Sequence, residues 1–283
     1  MLCLAAVASG CSNKPKSVLP AAQPAETIAT TTTRGTTASP LTGEEVPLSV
    51  ADRPVVIVKV DNSPGARPQA GLNQADVVYE ERVEGSVVRF LAVYQSNDVK
   101  VIGPVRSVRS TDAAIVAPLG GVFAFSGGIT PFVNKVAATG VETVIEGDKA
   151  SGVSFRTGKK RPYATYANTE LLRPQAKPTP PPSLFERLAE AESFGAVNAP
   201  TNVITSLRVV FGSLTTADWI WDAKQDAWLR STNNTLHLLE DRTRLSTKCV
   251  ILQTTRYQST PYTDRSNSPV DEAVTVGTGK ALV

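Results

Sequence analysis

Two arginines three positions apart carry the clearest chemical signal in the chain. In Gly103-Pro104-Val105-Arg106-Ser107-Val108-Arg109-Ser110-Thr111-Asp112 the guanidinium groups of Arg106 and Arg109 fall just before a helix start that Ser110 or Thr111 would cap. Cations sit badly at the positive end of a helix dipole unless an anion shares the place, so this run, with Ser107 between the arginines, marks a candidate anion pocket. A second junction, Ser126-Gly127-Gly128-Ile129-Thr130-Pro131, sets two glycines ahead of a helix with proline in its first turn. There, backbone amides can approach a ligand and negative charge is favoured. A third basic loop holds Arg156, Lys159, Lys160 and Arg161.

Carboxylates that could neutralise these groups are Asp112, Glu80 and Glu84, the last two expected with Arg82 on one face of a strand. Two readings stand side by side: a ligand pocket, or an internal arginine–carboxylate network that fixes geometry and binds nothing. A third makes Glu80 and Glu84 an acid/base pair. Other chemistries are excluded by counting. The chain has one histidine, His237, between Leu236 and Leu238, so a multi-histidine metal site is impossible and the ring reads as a sheet residue. There is no Gly-x-Ser-x-Gly elbow, phosphate-binding loop or dinucleotide fingerprint. No metal or cofactor is expected. Cys249, in Thr247-Lys248-Cys249-Val250-Ile251-Leu252, reads as a thiol buried in a strand without a disulfide partner.

The elements that must position these groups follow from apolar pattern and turn chemistry. A mostly buried strand over 55–60 ends in the turn Asp61-Asn62-Ser63-Pro64-Gly65, and strands over 77–83 and 87–94 form a hairpin around Glu84-Gly85-Ser86. A short helix runs to Ala117, where Pro118 stops it, and a buried strand covers 122–125. The next helix starts at Thr130 and ends at Gly140. After a proline-rich break over 174–182, Ser183 caps a helix over 184–190. Strands follow over 207–211, 218–222, 227–230, 236–239 and 248–253. Strands with inserted helices make the class α+β. Trp219, Trp221 and Trp228 read as cross-strand packing ahead of a carbohydrate-stacking platform.

At the N-terminus, Leu2-Cys3-Leu4-Ala5-Ala6-Val7-Ala8-Ser9-Gly10-Cys11 reads as the end of a lipoprotein signal peptide, residues 1–10, with Cys11 as the lipidated residue. No basic segment precedes the apolar run, which puts Met1 inside a longer signal. Residues 11–42, rich in Ser, Thr, Pro and Ala, lack the apolar surface to offset the cost of ordering and read as a tether. No later stretch approaches the ~20 apolar residues of a membrane span. A net charge of +3 and a pI of about 8.7 argue against a nucleic-acid binder.

Asp61-Asn62-Ser63-Pro64-Gly65-Ala66-Arg67-Pro68-Gln69-Ala70-Gly71-Leu72-Asn73-Gln74-Ala75-Asp76-Val77-Val78-Tyr79-Glu80, then Val83-Glu84-Gly85 with Arg89-Phe90-Leu91-Ala92, then Gly103-Pro104-Val105-Arg106-Ser107-Val108-Arg109, closely resembles the YerB-like family of bacterial lipoproteins. The resemblance implies an N-terminal α+β domain over 43–182, sheet-rich, with two packed sheets and a helical layer, followed by a smaller mostly-β C-terminal region over 183–283. It implies surface attachment and brings no established reaction. Family members continue past Val276-Gly277-Thr278-Gly279-Lys280-Ala281, so the C-terminal region reads as truncated. The chain departs from the family at Arg161-Pro162-Tyr163-Ala164-Thr165-Tyr166-Ala167-Asn168, where a histidine-containing run is usual.

The resulting expectation is an extracytoplasmic, membrane-anchored binding protein of the cell envelope. Arg67, Arg106, Arg109 and Arg156 would clamp a carboxylate or phosphate while Ser126-Gly127-Gly128 donates amides. Peptidoglycan stem peptides and anionic wall polymers have suitable chemistry. The alternatives are a wall-acting hydrolase or transferase using Glu80 or Glu84, and a protein-interaction module with tryptophan or tyrosine hot spots in the C-terminal region.

Overall fold

The run Val55-Val56-Ile57-Val58-Lys59-Val60 puts large side chains on both sides of its backbone, which suits a strand only where both faces are covered. In the computed structural model, which describes residues 35–147, 151–185, 203–264 and 267–275, this run is the centre of the main sheet. The chain enters through a ribbon of β1 (Thr36–Ala38) and β2 (Glu45–Pro47) and the short α1 (Leu48–Ala51). It then forms β3 (Val56–Asp61), β4 (Val77–Arg82), β5 (Val88–Tyr94), α2 (Asp112–Val116), β6 (Val122–Phe125), α3 (Thr130–Ala137) and β7 (Glu142–Ile145). Strand order is β4-β5-β3-β6-β7, with β3 antiparallel to β5 and parallel to β6, and β6 parallel to β7. A hairpin of β8 (Val153–Phe155) and β9 (Thr165–Ala167) precedes α4 (Thr169–Leu172). The C-terminal region adds a sheet of β10 (Ser206–Val210), β11 (Thr216–Asp222), β12 (Ala227–Thr232), β13 (Thr235–Leu236) and β14 (Ser246–Thr247). A separate hairpin, β15 (Arg256–Thr263) and β16 (Pro269–Val274), follows it. The architecture is mixed α+β, with a sheet-centred N-terminal domain and a mostly-β C-terminal region.

Alternation along the strands divides the core in two. On one face Ile57, Leu91, Val93, Phe123 and Phe125 pack against Ala113 and Val116 of α2, Phe132 and Val136 of α3, and Val270 of β16. On the other, Val56, Val58, Phe90, Ala92 and Tyr94 meet Val153, Ala167, Leu172, Leu239 and Leu245. Each fully buried Val, Leu, Ile or Phe side chain among them contributes about 1.5–3 kcal/mol.

Several expectations are corrected in detail. The tether was expected to reach residue 42, whereas 36–38 already pair with 45–47 and Leu41 is buried in the helix-side core. Thr111 does not cap α2; its Oγ1 accepts from the Ala273 N–H at 3.1 Å and fastens β16 instead. Glu84 does not share the strand with Glu80, because the chain turns through a 3-10 segment, Glu84–Ser86. No strand forms over 248–253. The Thr247 hydroxyl donates to the Cys249 carbonyl at 3.0 Å, turning the backbone out of the ladder and leaving Cys249 exposed. β1, β2, β7, β8, β9, β14, β15 and β16 were not anticipated. The signal peptide with Cys11, the tether up to residue 34, residues 186–190 of the expected helix and the last strand from 276 lie outside the described residues.

A buried polar joint ties the C-terminal region to the main sheet. Arg230 donates to both carboxylate oxygens of Glu80, at 2.8 and 2.6 Å, and its guanidinium lies over the rings of Phe90 and Trp219. The Arg230 Nε–H and the Thr232 hydroxyl both reach His237 Nδ1, which leaves the Nε2–H to donate to Gln69 Oε1 at 2.9 Å. Gln69 in turn donates to the Asp61 carbonyl and to Asn62 Oδ1. Trp219 therefore packs on Arg230, while Trp221 meets Trp228 edge-on at 5.6 Å.

Burial, with the charges of Arg230 and Arg67 nearby, pushes His237 down to about 3, so the ring is neutral in the native protein. The unfolded chain takes up this proton below about 6.5, whereas the native state resists until about 3. Stability from this group is therefore present above pH 6.5 and falls as pH drops, by about 1.4 kcal/mol per unit. Denaturant unfolding of wild type and His237→Gln between pH 7 and 4.5 should show the wild-type advantage shrinking with acid. Burial raises Glu80, which titrates in the opposite sense but is common to both proteins. Parallel stability curves would contradict the assignment.

Candidate functional site

Strand β3 places Lys59 and Asp61 on the helix-facing side of the sheet, beside Glu81 of β4 and Arg89 of β5. The Lys59 ammonium is fully buried; it pairs with Glu81 and, at 2.6 Å, with Asp112 at the start of α2. Burial lowers its pKa to about 8, against the pull of Asp112. The second Asp112 oxygen accepts from the Arg109 N–H at 2.7 Å. Arg109 Nε lies 2.9 and 2.7 Å from the two oxygens of Glu84, and Arg89 donates to the Ser107 carbonyl. Burial and the neighbouring Arg109 hold Arg89 down to about 9. Segment 103–112 is thereby stitched across the end of the sheet. Its backbone continues the stitching: Arg106 N–H donates to the Lys59 carbonyl, Ser126 N–H to the Arg106 carbonyl, and Val108 N–H to the Gly127 carbonyl.

Where this segment crosses the carboxyl ends of β3, β6 and β7, a cavity of about 240 Å³ opens. Carboxyl ends of parallel strands are a recurrent ligand position in open α/β sheets. The lining comprises Arg106, Ser107, Ser126, Gly127 and Gly128, joined by Glu146, Arg161, Pro162 and Thr165. Arg106 Nε is 2.9 Å from Asp61 Oδ2, with Asp61 buried behind it. Arg161 pairs with Glu146 at 2.8 Å, and the Thr165 hydroxyl donates to the other Glu146 oxygen at 2.6 Å. The N–H groups of Gly127 and Gly128, and the hydroxyls of Ser107 and Ser126, have no hydrogen-bond partner among the described residues. Both glycines are needed where they stand. Gly127 has φ +126°, and a Cβ on Gly128 would come within 2.5 Å of Val108 Cγ1.

The structure thus brings together five of the residues expected to bind a ligand and separates three. Arg109 is spent on Glu84. Arg67 lies on the side of the joint, where burial and Arg230 lower its pKa. Arg156 pairs with Glu240 and borders a second, more open cavity of about 410 Å³ with Leu239 and Asp241. Glu80 is locked on Arg230 and Glu84 on Arg109, and neither lines either cavity. Among the described residues no group of His, Cys, Asp and Glu is arranged to hold a metal ion. Sequence reasoning missed Glu146 and Thr165, which follow or lie in strands that it did not recognise, and Lys59, whose charge inside an apolar run was the available signal.

Comparison with known proteins agrees with this architecture. Residues 41–181 match the family described as the N-terminal domain of a protein of unknown function, DUF3048, and residues 207–283 match its C-terminal domain. The candidate lipoprotein YerB of Bacillus subtilis (strain 168) is 29% identical over 210 residues, which is 70% of this chain and 61% of YerB. The chain therefore spans about six-tenths of the length of that relative. The crystal structure of the Bacillus subtilis YerB protein superposes with a TM-score of 0.67 at 22% identity, covering 86% of this chain and 91% of the other. The fold is shared.

The arginines divide into structural and accessible groups. Arg109→Ala would strand the buried Glu84 carboxylate and should cost about 3–5 kcal/mol. The Arg161 side chain is 69% exposed, and Arg161→Ala should cost no more than about 1 kcal/mol. Urea unfolding of both variants checks this, and an equal loss in the two would refute the division.

Proposed function

The chain belongs to the DUF3048 family of YerB-like proteins, and on that premise we propose that it is a lipid-anchored envelope protein that binds a small anionic ligand at the 240 Å³ cavity. The observation that carries the reading is a lining that brings Arg106 and Arg161 together with Ser107, Ser126, Gly127 and Gly128, the serine hydroxyls and glycine amides being without partners among the described residues. Donors of these types suit a carboxylate or phosphate, and charge-assisted hydrogen bonds are the strong ones. Binding is favoured over catalysis because Glu80 and Glu84, the carboxylates suited to wall hydrolysis, are both held in ion pairs away from the cavity. Anchoring rests on Ala8-Ser9-Gly10-Cys11 and on the lipoprotein description of the Bacillus relative. It places the site at the outer face of the membrane, within reach of wall peptides and polymers.

The cavity is smaller than the roughly 300–1,000 Å³ of pockets that enclose a drug-sized ligand, which suits a headgroup better than a polymer segment. Calorimetric titration with muropeptides, wall polymers and inorganic phosphate should find at least one binder. Arg161→Ala, which leaves the fold intact, should weaken it about tenfold, the lower end of the ~1.5–3 kcal/mol of a hydrogen bond to a charged group. Unchanged affinity in Arg161→Ala would move the ligand elsewhere. Independently, Cys11→Ala should shift the protein from the membrane to the soluble fraction of the producing cell. Retention in the membrane would contradict lipidation at Cys11.

A further inference from the structure

We infer that the ligand of this cavity is a zwitterion, a small molecule or peptide end carrying a carboxylate and an ammonium group together. The inference rests on the binding reading above and narrows it. Its basis is Glu146, the one carboxylate in a lining whose other polar residues are arginines, serines, glycines and a threonine. A site shaped for a simple anion would gain nothing from a carboxylate in its wall, since like charges brought together cost free energy. Here the wall is balanced: Asp61 backs Arg106, and Glu146 faces Arg161. A dianion entering it would leave charge uncompensated, whereas a zwitterion preserves the balance.

The capacities of the groups fit this division of labour. Each carboxylate oxygen accepts more than one hydrogen bond. Glu146 receives one on each oxygen, from Arg161 at 2.8 Å and from the Thr165 hydroxyl at 2.6 Å, so both oxygens can take an ammonium proton as well. Arg161 is the exposed member of its pair and can turn toward the ligand carboxylate without exposing core. The Gly127 and Gly128 amides and the Ser107 and Ser126 hydroxyls supply the remaining donors for that carboxylate. Peptide ends and amino-acid headgroups combine the two charges within the size of this cavity; teichoic-type polyphosphate segments and inorganic anions do not.

Calorimetry on the wild-type protein with alanyl-alanine, alanine, N-acetyl-alanine, alaninamide and inorganic phosphate tests the inference. The expected result is binding of alanyl-alanine or alanine, weakened at least tenfold when the amine is acetylated or the carboxylate amidated. Glu146→Gln removes the charge and keeps one acceptor oxygen, its amide NH2 standing in place of the other, and should abolish the discrimination against N-acetyl-alanine. If N-acetyl-alanine or phosphate binds as tightly as the zwitterions, the zwitterion inference falls while the anion-binding reading stands. If none of the five binds, the zwitterion inference falls, and the anion-binding reading falls with it only when muropeptides and wall polymers fail to bind as well. The probe series needs only the wild-type chain, so a Glu146→Gln protein that fails to fold would not rescue the inference.

Discussion

The Lys59 ammonium, buried between Glu81 and Asp112, is the constraint on which the rest of the structure depends. It joins the central strand, an edge strand and the first turn of α2, elements far apart in sequence. A buried charge of this kind adds little net stability over a well-packed apolar replacement, yet once present it tolerates few arrangements, because each partner left unpaired is costly. Asp112 must face Lys59, so its other oxygen meets the Arg109 amide, and segment 103–112 is drawn down onto the sheet end. The cavity is the space this segment leaves beside the 126–128 loop. Its shape descends from a pairing that takes no part in lining it.

The basic residues around the cavity lie in two layers. Beneath lie Arg89 and Arg109, bonded to carbonyls and carboxylates and shielded from solvent. Above lie Arg106 and Arg161, each with one carboxylate partner and part of its guanidinium in the open. Sequence spacing cannot separate these layers, since Arg106 and Arg109 sit in one run and differ only in which side of the backbone each takes as it crosses the sheet.

Legibility in the sequence followed burial and length. β3, β5 and β6 are apolar runs flanked by Asp-Asn, Gly-Ser and Ser-Gly-Gly, and their positions, with the β4–β5 hairpin and α3, were readable within a residue or three. β7, β8 and β9 are only three or four residues long and alternate weakly, so no local pattern reveals them. Glu146 and Thr165 belong to this stretch, and with them the acidic part of the site was hidden. Helix capping misled at Thr111 because a distant strand claimed the hydroxyl. Cys249 misled because Thr247 diverts the backbone through a side-chain bond that hydrophobicity does not register. That the run 103–109 and the 126–128 loop share one cavity could be anticipated because glycine, serine and arginine there answer to backbone approach and charge and owe little to packing.

The C-terminal region supplies Leu239 and Leu245 to one core and Val270 to the other, so it grips the main sheet on both faces. The two family domains are accordingly one solubility unit. An N-terminal domain made by itself would bare Phe90 and its neighbours on one side and the flank of α2 and α3 on the other, two greasy surfaces back to back. Such a fragment is suited to stacking into chains of copies, and in the whole protein the C-terminal half serves as the cap that ends the stack before it starts.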